Sequence, residues 1–434
     1  MVEQIAFVIV LLTAVYLLAK RIGFIRRNIQ LGKALEINDQ PKKRLRNLLL
    51  ISFGQKRMFK RPAPAILHLF LYVGFFVINI EVLEFIIDGL AGTHRIFLPY
   101  LGTFYTVLMN IFEFLAVGVL VSCIIFLVRR NILKLPRFRT YEMTSWPRLD
   151  ANLILVIEIA LMVAILTMNA TDQLLQASHP HYPPTGHLFF SALLIPLFEG
   201  LPAPTLVVVE RFAWWFHIVA ILGFAIYITY SKHLHIFMAF PNTWYAALGP
   251  VGQMNSMPVV TGEVKMMLGI TEASSAAPPD PGKFGAKDVN DLTWNMLMGA
   301  YSCTECGRCT AECPANQTGK KLSPRKIMMD TRDRMESVGN SLRRGGPGLA
   351  DGKTLLHDYI TKEEINACTN CHACVEACPV LINPLEIIIE LKRYVTMEES
   401  GAPPAWNSMY QNIETNFAPW KFSPTDRFNW ANEG

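Results

Sequence analysis

Residues 303–314 read CTECGRCTAECP, and residues 368–379 repeat the pattern as CTNCHACVEACP. Each is a C-x2-C-x2-C-x3-C-P run, in which three closely spaced thiolates on a tight loop can hold three irons of a cubane. The fourth cysteine, marked by its proline, reaches the other cluster of a two-cluster domain. One [4Fe-4S] cluster is therefore expected on Cys303, Cys306, Cys309 and Cys378, and the other on Cys368, Cys371, Cys374 and Cys313. Paired zinc ribbons would need only C-x2-C pairs and leave the third cysteine and the C-P unexplained. Of the nine cysteines eight lie in these runs, a usage that suits metal binding in a reducing compartment better than a disulfide framework. The ninth, Cys123, sits in an apolar run and reads as a small core residue.

Working back from these runs, the chain changes character. It has 434 residues, 51% of them hydrophobic, but five apolar stretches of near-spanning length all fall before residue 240. They are about Ile5 to Ala19, Ala63 to Ile87, Phe104 to Val128, Leu153 to Met168 and Leu206 to Tyr230. The first has no basic region before it and is followed at once by Lys20, Arg21, Arg26 and Arg27, so it reads as a first span and not as a signal peptide. Further basic residues gather after the third span (Arg129, Arg130, Lys134, Arg137, Arg139) and between the first and second, whereas the loop from Thr171 to Pro204 has no Lys or Arg. The net charge of +5 thus reports membrane topology and not a nucleic-acid partner. The expected fold is an all-α membrane domain of five helices, N-terminus out and C-terminus in, followed by a small α-helical, ferredoxin-like dicluster domain in the cytoplasm. The expected boundaries are a membrane domain at 1–245, a linker at 246–290, the dicluster domain at 291–395 and a C-terminal arm at 396–434. The linker's TEASSAAPPDPGKFG stretch, 271–285, reads as extended and mobile. Helices are expected after each cysteine run, capped by Ser323 and by Asn383 with Pro384 at the first helical position.

Ionisable residues inside a span are functional candidates, because hydrocarbon does not solvate them. His68 lies near the cytoplasmic end of the second span and His235 near the cytoplasmic end of the fifth, so the two share a depth. A haem b with both imidazoles as axial ligands follows; the competing reading makes His233 and His235 interfacial. His217 precedes His235 by eighteen residues, five helical turns, which on one continuous helix puts both on the same face about 27 Å apart. If it is not a haem ligand, it is well placed as a proton-exchanging group for quinone chemistry. Glu81, Glu84 and Asp88 share one acidic face of the second span, and Glu113 lies in the outer half of the third, as candidates for the same proton traffic. Asp88 reads as interfacial; Glu158 is either a packing partner or part of a proton route. His372 and Arg308, inside the cysteine loops, read as solvated surface residues, with tuning of the cluster potentials by their charge as the alternative.

Five helices with H-x17-H at His217 and His235 and a trailing S-K-x-x-H-I (Ser231, Lys232, His235, Ile236) resemble the cytochrome b subunit of respiratory nitrate reductases. That resemblance implies a cytoplasmic-side haem on His68 and His235. The family's second outer ligand would fall at Ile78, which puts an outer haem on His217 in question unless His94, His179, His181 or His187 reaches in. With the cysteine runs and the terminal NIETNFAPWKFSPTDRFNWA, nearly the whole chain resembles membrane iron–sulfur proteins of the heterodisulfide-reductase-like group, and most of all electron-transfer-flavoprotein:menaquinone oxidoreductases. The resemblance implies a quinone-linked oxidoreductase subunit of the bacterial cytoplasmic (inner) membrane. Electrons would pass from electron-transfer flavoprotein, through a CCG-type iron–sulfur partner, the two clusters and haem b, to menaquinone. No Cys-Cys pair is present, so that partner is expected as a separate polypeptide docking on the C-terminal arm. The reverse direction, from quinol to a heterodisulfide- or sulfite-reductase-like acceptor, is the alternative, and a membrane redox sensor a third.

Overall fold

Five helices carry the first half of the chain: α1 (Val2–Ile29), α2 (Pro62–Ala91), α3 (Thr103–Asn131), α4 (Trp146–Leu175) and α5 (Ala203–Ile228). The computed structural model describes residues 1–250, 252–270, 282–421 and 423–432. Most of the expected mobile linker, 271–281, lies outside the described residues. At 26 to 30 residues each, these helices run roughly 39 to 45 Å at 1.5 Å per residue, longer than a hydrocarbon core of about 30 Å. All five are long and apolar enough to cross a membrane. Large apolar side chains such as Ile9, Leu12, Val121 and Phe212 are exposed on their outer faces, which suits lipid as solvent. The helices outrun the apolar stretches because local chemistry sets their ends. Pro62 opens α2 with a preset φ, and Gly92 closes it in the left-handed conformation (φ 72°) with its N–H on Asp88 O at 2.8 Å.

The fifth span differs from the sequence expectation. His217 and His235 are not on one continuous helix: α5 stops at Ile228, a 3-10 turn covers Lys232–Leu234, and α6 (His235–Trp244) begins at His235. The break is built by side chains that compete with the backbone ladder. Thr229 Oγ1 donates to Ile226 O, Ser231 Oγ accepts from His233 N, and Ser231 Oγ donates to buried Asp150 of α4 at 2.7 Å. Asp150 also accepts from Lys232 N and the Tyr227 hydroxyl. The turn re-aims His235 while leaving it at the basic end of the bundle.

The second half is α-helical too; among the described residues there is no strand, only two isolated bridges. Three longer helices frame the cysteine runs: α7 (Trp294–Ser302), α8 (Pro324–Arg343) and α9 (Pro384–Met397). Ser323 accepts from Lys326 N and Asn383 from Glu386 N, so both expected caps form. Ile327, Leu385, Ile388 and Leu391 fill the core between α8 and α9.

This domain sits on the basic end of the bundle through buried ion pairs. Arg21 of α1 grips Glu336 of α8 with two N–H donors (2.7 and 3.1 Å), and Asn28 donates to the Tyr301 hydroxyl at 2.8 Å. Arg325 of α8, fully buried, donates to Glu142 of the α3–α4 loop at 2.7 Å and to Thr140. Burial pushes the Glu142 carboxyl up, but the Arg325 guanidinium and the Ser323 hydroxyl outweigh it and hold it below its ordinary value. A carboxylate depressed in the folded state stabilises above its unfolded pKa and loses that contribution as pH falls through the folded one. Glu142→Gln is accordingly expected to destabilise the detergent-solubilised protein by about 3 kcal/mol near neutrality. Thermal unfolding should show the gap between variant and parent closing as pH falls below the ordinary glutamate range; a gap unchanged by pH would remove the ionised pair from the account.

Candidate metal centres

The two cysteine loops share one backbone plan. Glu305 and Asn370, each two residues after the first cysteine, have φ of 55° and 56°, and Gly307 and His372, each four after it, have 71° and 60°. These left-handed positions curl the chain so that backbone N–H groups face the sulfurs: Glu305 N donates to Cys303 Sγ and Asn370 N to Cys368 Sγ, both at 3.4 Å. Gly307 has an added reason to lack a side chain, since a Cβ there would meet Arg325 Nη1 at 2.5 Å.

The structure brings the cysteines together across the repeat. Cys313 lines one small cavity with Cys368, Cys371 and Cys374. Cys378 is electrostatically coupled to Cys306, and Cys309 to Cys303, Cys306 and Cys378. Burial pushes the Cys303 and Cys374 thiols up to about 12 and that of Cys378 up to about 11, with the neighbouring sulfurs adding to it. Such pockets favour a thiolate only when a metal balances its charge, so the donor set fits iron–sulfur clusters. Ile382 N donates to Cys378 Sγ at 3.2 Å, a contact of the kind that tunes cluster potential. Cys371 is exposed, whereas Cys303 is buried. The second loop therefore faces outward and the first faces the membrane domain.

His68 of α2 and His235 of α6 face one another with ring centroids 6.5 Å apart and planes 45° from parallel. Two metal–nitrogen bonds of about 2 Å, with the imidazoles beyond them, span roughly 6.4 Å between centroids, and two rings can contain a common axis at any mutual rotation. The pair fits a haem iron. His235 Nδ1 lies 3.1 Å from Lys232 O; the carbonyl can only accept, so Nδ1 carries the proton and Nε2 is free for a metal. Both histidines border a cavity of ≈ 270 Å³ whose apolar wall includes Leu71, Phe75, Ile154 and Leu155. The same cavity is bordered by Thr304, Glu305, Cys306 and Arg308 of the first cysteine loop. Arg308 is thus not a solvated surface residue: it is 7% exposed. Glu158 borders the cavity as well, 4.0 Å from His233 Nε2.

The outer set is placed differently. His217 Nδ1 donates to Leu161 O at 3.0 Å and its ring packs on Phe85, 5.4 Å between centroids. His94 does not reach toward it; its Nε2 lies 2.7 Å from Asp172, and its ring packs on His181 and Tyr182. Glu84 accepts from Phe97 N and the Tyr105 hydroxyl, and Glu113 from Asn169 Nδ2, Phe190 N and Ser191 N. Asp88 accepts from Thr93, Arg95 N and Ile96 N. These three carboxylates tie loops at the end of the bundle away from the dicluster domain, a role hidden in the sequence because their partners include loop amides. Glu81 lies one helical turn before Phe85, on the face against which His217 packs.

Sequence reasoning missed the polar groups that join the two metal sites. Lys232, three residues before His235, forms a buried ion pair with Glu305, between the first two cysteines, and Glu305 also pairs with Arg332 at 2.8 Å. The signal available was Lys232 in its S-K-x-x-H-I run, and nothing in sequence linked it to Glu305.

Residues 302–382 match the 4Fe-4S dicluster domain family. The "Probable iron-sulfur-binding oxidoreductase FadF" of Bacillus subtilis is 27% identical over 98% of this chain and 60% of its own length. The "EtfAB:quinone oxidoreductase" of Syntrophomonas wolfei is 26% identical over 91% of this chain and 55% of its own. One polypeptide of the dihydromethanophenazine:CoB--CoM heterodisulfide reductase of Methanosarcina mazei is 29% identical over 33% of this chain and 36% of its own. The chain thus spans 60% or less of the curated relatives it matches along most of its length. No solved structure matches it. Its relatives include iron–sulfur oxidoreductases, and the chain itself joins a 4Fe-4S dicluster domain to five helices long and apolar enough to cross a membrane.

Proposed function

We propose that this chain links a cytoplasmic electron donor to menaquinone in the cytoplasmic membrane, with its N-terminus outside and its dicluster domain inside. The observation that carries the reading is the single cavity bordered by His68 and His235 on one side and Cys306 on the other. Two [4Fe-4S] clusters and a haem b, when bound, supply one-electron carriers between a two-electron flavin and a quinone that takes up two electrons and two protons. Cys303, Cys306, Cys309 and Cys378 hold the cluster nearer the membrane; Cys368, Cys371, Cys374 and Cys313 hold the outer one; His68 and His235 hold the haem. The order along the chain's own residues is then outer cluster, inner cluster, haem. The Lys232–Glu305–Arg332 pairs and the Arg21 and Arg325 grips fix the spacing between these holders. Leu71, Phe75, Ile154 and Leu155 keep water from the histidines.

Electron-transfer flavoprotein is the donor proposed, acting through a CCG-type iron–sulfur unit. The docking place proposed for that unit is the arm around helix α10 (Pro404–Asn416), where Tyr410, Ile413, Phe417, Trp420, Phe428 and Trp430 are exposed. Glu84 and Glu113 are occupied by loop amides, so the proton-exchanging role beside the quinone falls to Glu81 and His217.

The likeness of a third of the chain to a heterodisulfide reductase polypeptide favours a second reading with the same wiring run in reverse, from quinol to a cytoplasmic disulfide-reducing acceptor. Stopped-flow mixing separates the two. Reduced electron-transfer flavoprotein, given with the CCG unit, should reduce the haem b α-band, and a menaquinone analogue should then reoxidise it. A haem that ignores the flavoprotein but is reduced by menaquinol would establish the second reading instead.

A further inference from the structure

The cavity at His68 and His235 is apolar toward the bilayer and basic toward the dicluster domain. Five cations border it, Arg129, Arg130, Arg137, Lys232 and Arg308, against two carboxylates, Glu158 and Glu305. One of those cations is already neutralised, because Lys232 is ion-paired with Glu305. Arg130 and Arg137 are placed otherwise. Their guanidinium carbons lie 4.5 and 4.8 Å from the centroid of one ring, that of Phe138, which also borders the cavity. The Nε of each is buried without a hydrogen-bond partner. Desolvation lowers the pKa of Arg137, but at about 10 it remains charged at neutral pH. Two preorganised guanidinium groups with unused donors call for an anionic ligand with two separate acceptor groups, since an orphaned buried donor is costly and Arg pairs best with a carboxylate.

We propose that Arg130 and Arg137 hold the two propionate carboxylates of the haem whose axial ligands are His68 and His235. This rests on the haem reading above and adds the orientation of the macrocycle: its propionate edge points toward the α3–α4 loop and the Cys306 cluster, its apolar edge toward the bilayer. Phe138 spaces the two guanidinium groups, and neither arginine touches the iron; both are positioning residues. Their charge favours the reduced haem, which carries one negative charge more than the oxidised form.

The test uses the full chain. Arg130→Ala, Arg137→Ala and the Lys versions of each are prepared, and the haem midpoint potential is read by optical titration. Each Ala variant should keep the α-band but shift the one-electron equilibrium toward the oxidised haem by about tenfold, 59 mV, while the Lys variants recover part of the shift. The deciding comparison loads apoprotein with haem dimethyl ester, whose propionates are blocked. If the arginines hold the propionates, the Ala substitutions should speed the loss of bound haem but not of the bound ester, which offers them no carboxylate. Ester lost faster from the Ala variants by the same factor as haem, or an unchanged haem potential with a displaced potential of the Cys306 cluster, would overturn the proposal and assign the arginines to that cluster. A parent with no haem b at all would instead refute the haem reading on which the proposal stands.

Discussion

His68→Ala and His235→Ala should each abolish the b-type haem while leaving both iron–sulfur clusters in place. The two rings stand 6.5 Å apart across one cavity, and His233, 5.4 Å from His235 between centroids, lies 4.0 Å from Glu158. Either substitution would take away one of the two facing imidazoles that would hold the haem iron. The expected haem content is reduced by about tenfold or more, since even the loss of an outer hydrogen-bond partner of a metal ligand costs about 10- to 100-fold in affinity. Pyridine haemochrome analysis beside iron and sulfide content checks it. Unchanged haem in both variants would sink the assignment. His217→Ala serves as the contrast: its ring packs on Phe85 and bonds Leu161 O, so haem held by His68 and His235 should survive its loss.

Cys378→Ser should damage the cluster held by Cys303, Cys306 and Cys309, although it lies 69 to 75 positions after them in sequence. Cys378 stands beside Cys306, and its place in the second run is taken by Cys313, which joins Cys368, Cys371 and Cys374. A serine hydroxyl is a hard, weakly acidic donor and a poor ligand for a cluster. Iron and sulfide should fall to about half, and electron paramagnetic resonance should show the inner cluster's signal lost or replaced by a three-iron signal. Because the inner cluster lies between the outer one and the histidines, reduction of the haem by flavoprotein should slow sharply in the same variant. Loss confined to the outer cluster would refute crossed ligation.

The spans, the cysteine repeat and both helix caps were legible because each is a local pattern: apolar length, C-x2-C spacing, Ser323 and Asn383 ahead of a proline. The pairing in depth of His68 with His235 could be reached from charge topology alone. The helical path between His217 and His235 could not. Eighteen residues imply five unbroken turns only if the ladder is intact, and Asp150, 81 and 82 positions upstream of them, captures Ser231 and Lys232 and breaks it. The partners of Glu84 and Glu113 were hidden for a related reason. They include backbone N–H groups of loops whose course the sequence does not display, beside the Tyr105 hydroxyl and the Asn169 amide. The ties of Lys232 to Glu305 and of Arg325 to Glu142 join residues 73 and 183 positions apart; long-range pairs of this sort carry no periodic signal.

The central claim is that one membrane cavity joins a bis-histidine haem to an iron–sulfur cluster, and the most direct measurement is the dithionite-reduced minus air-oxidised spectrum of the purified parent protein, with haem and iron quantified in the same sample. The account predicts a b-type α-band with haem held by His68 and His235, together with iron and sulfide for two [4Fe-4S] clusters. A protein with its full iron–sulfur content and no b-type haem would contradict it.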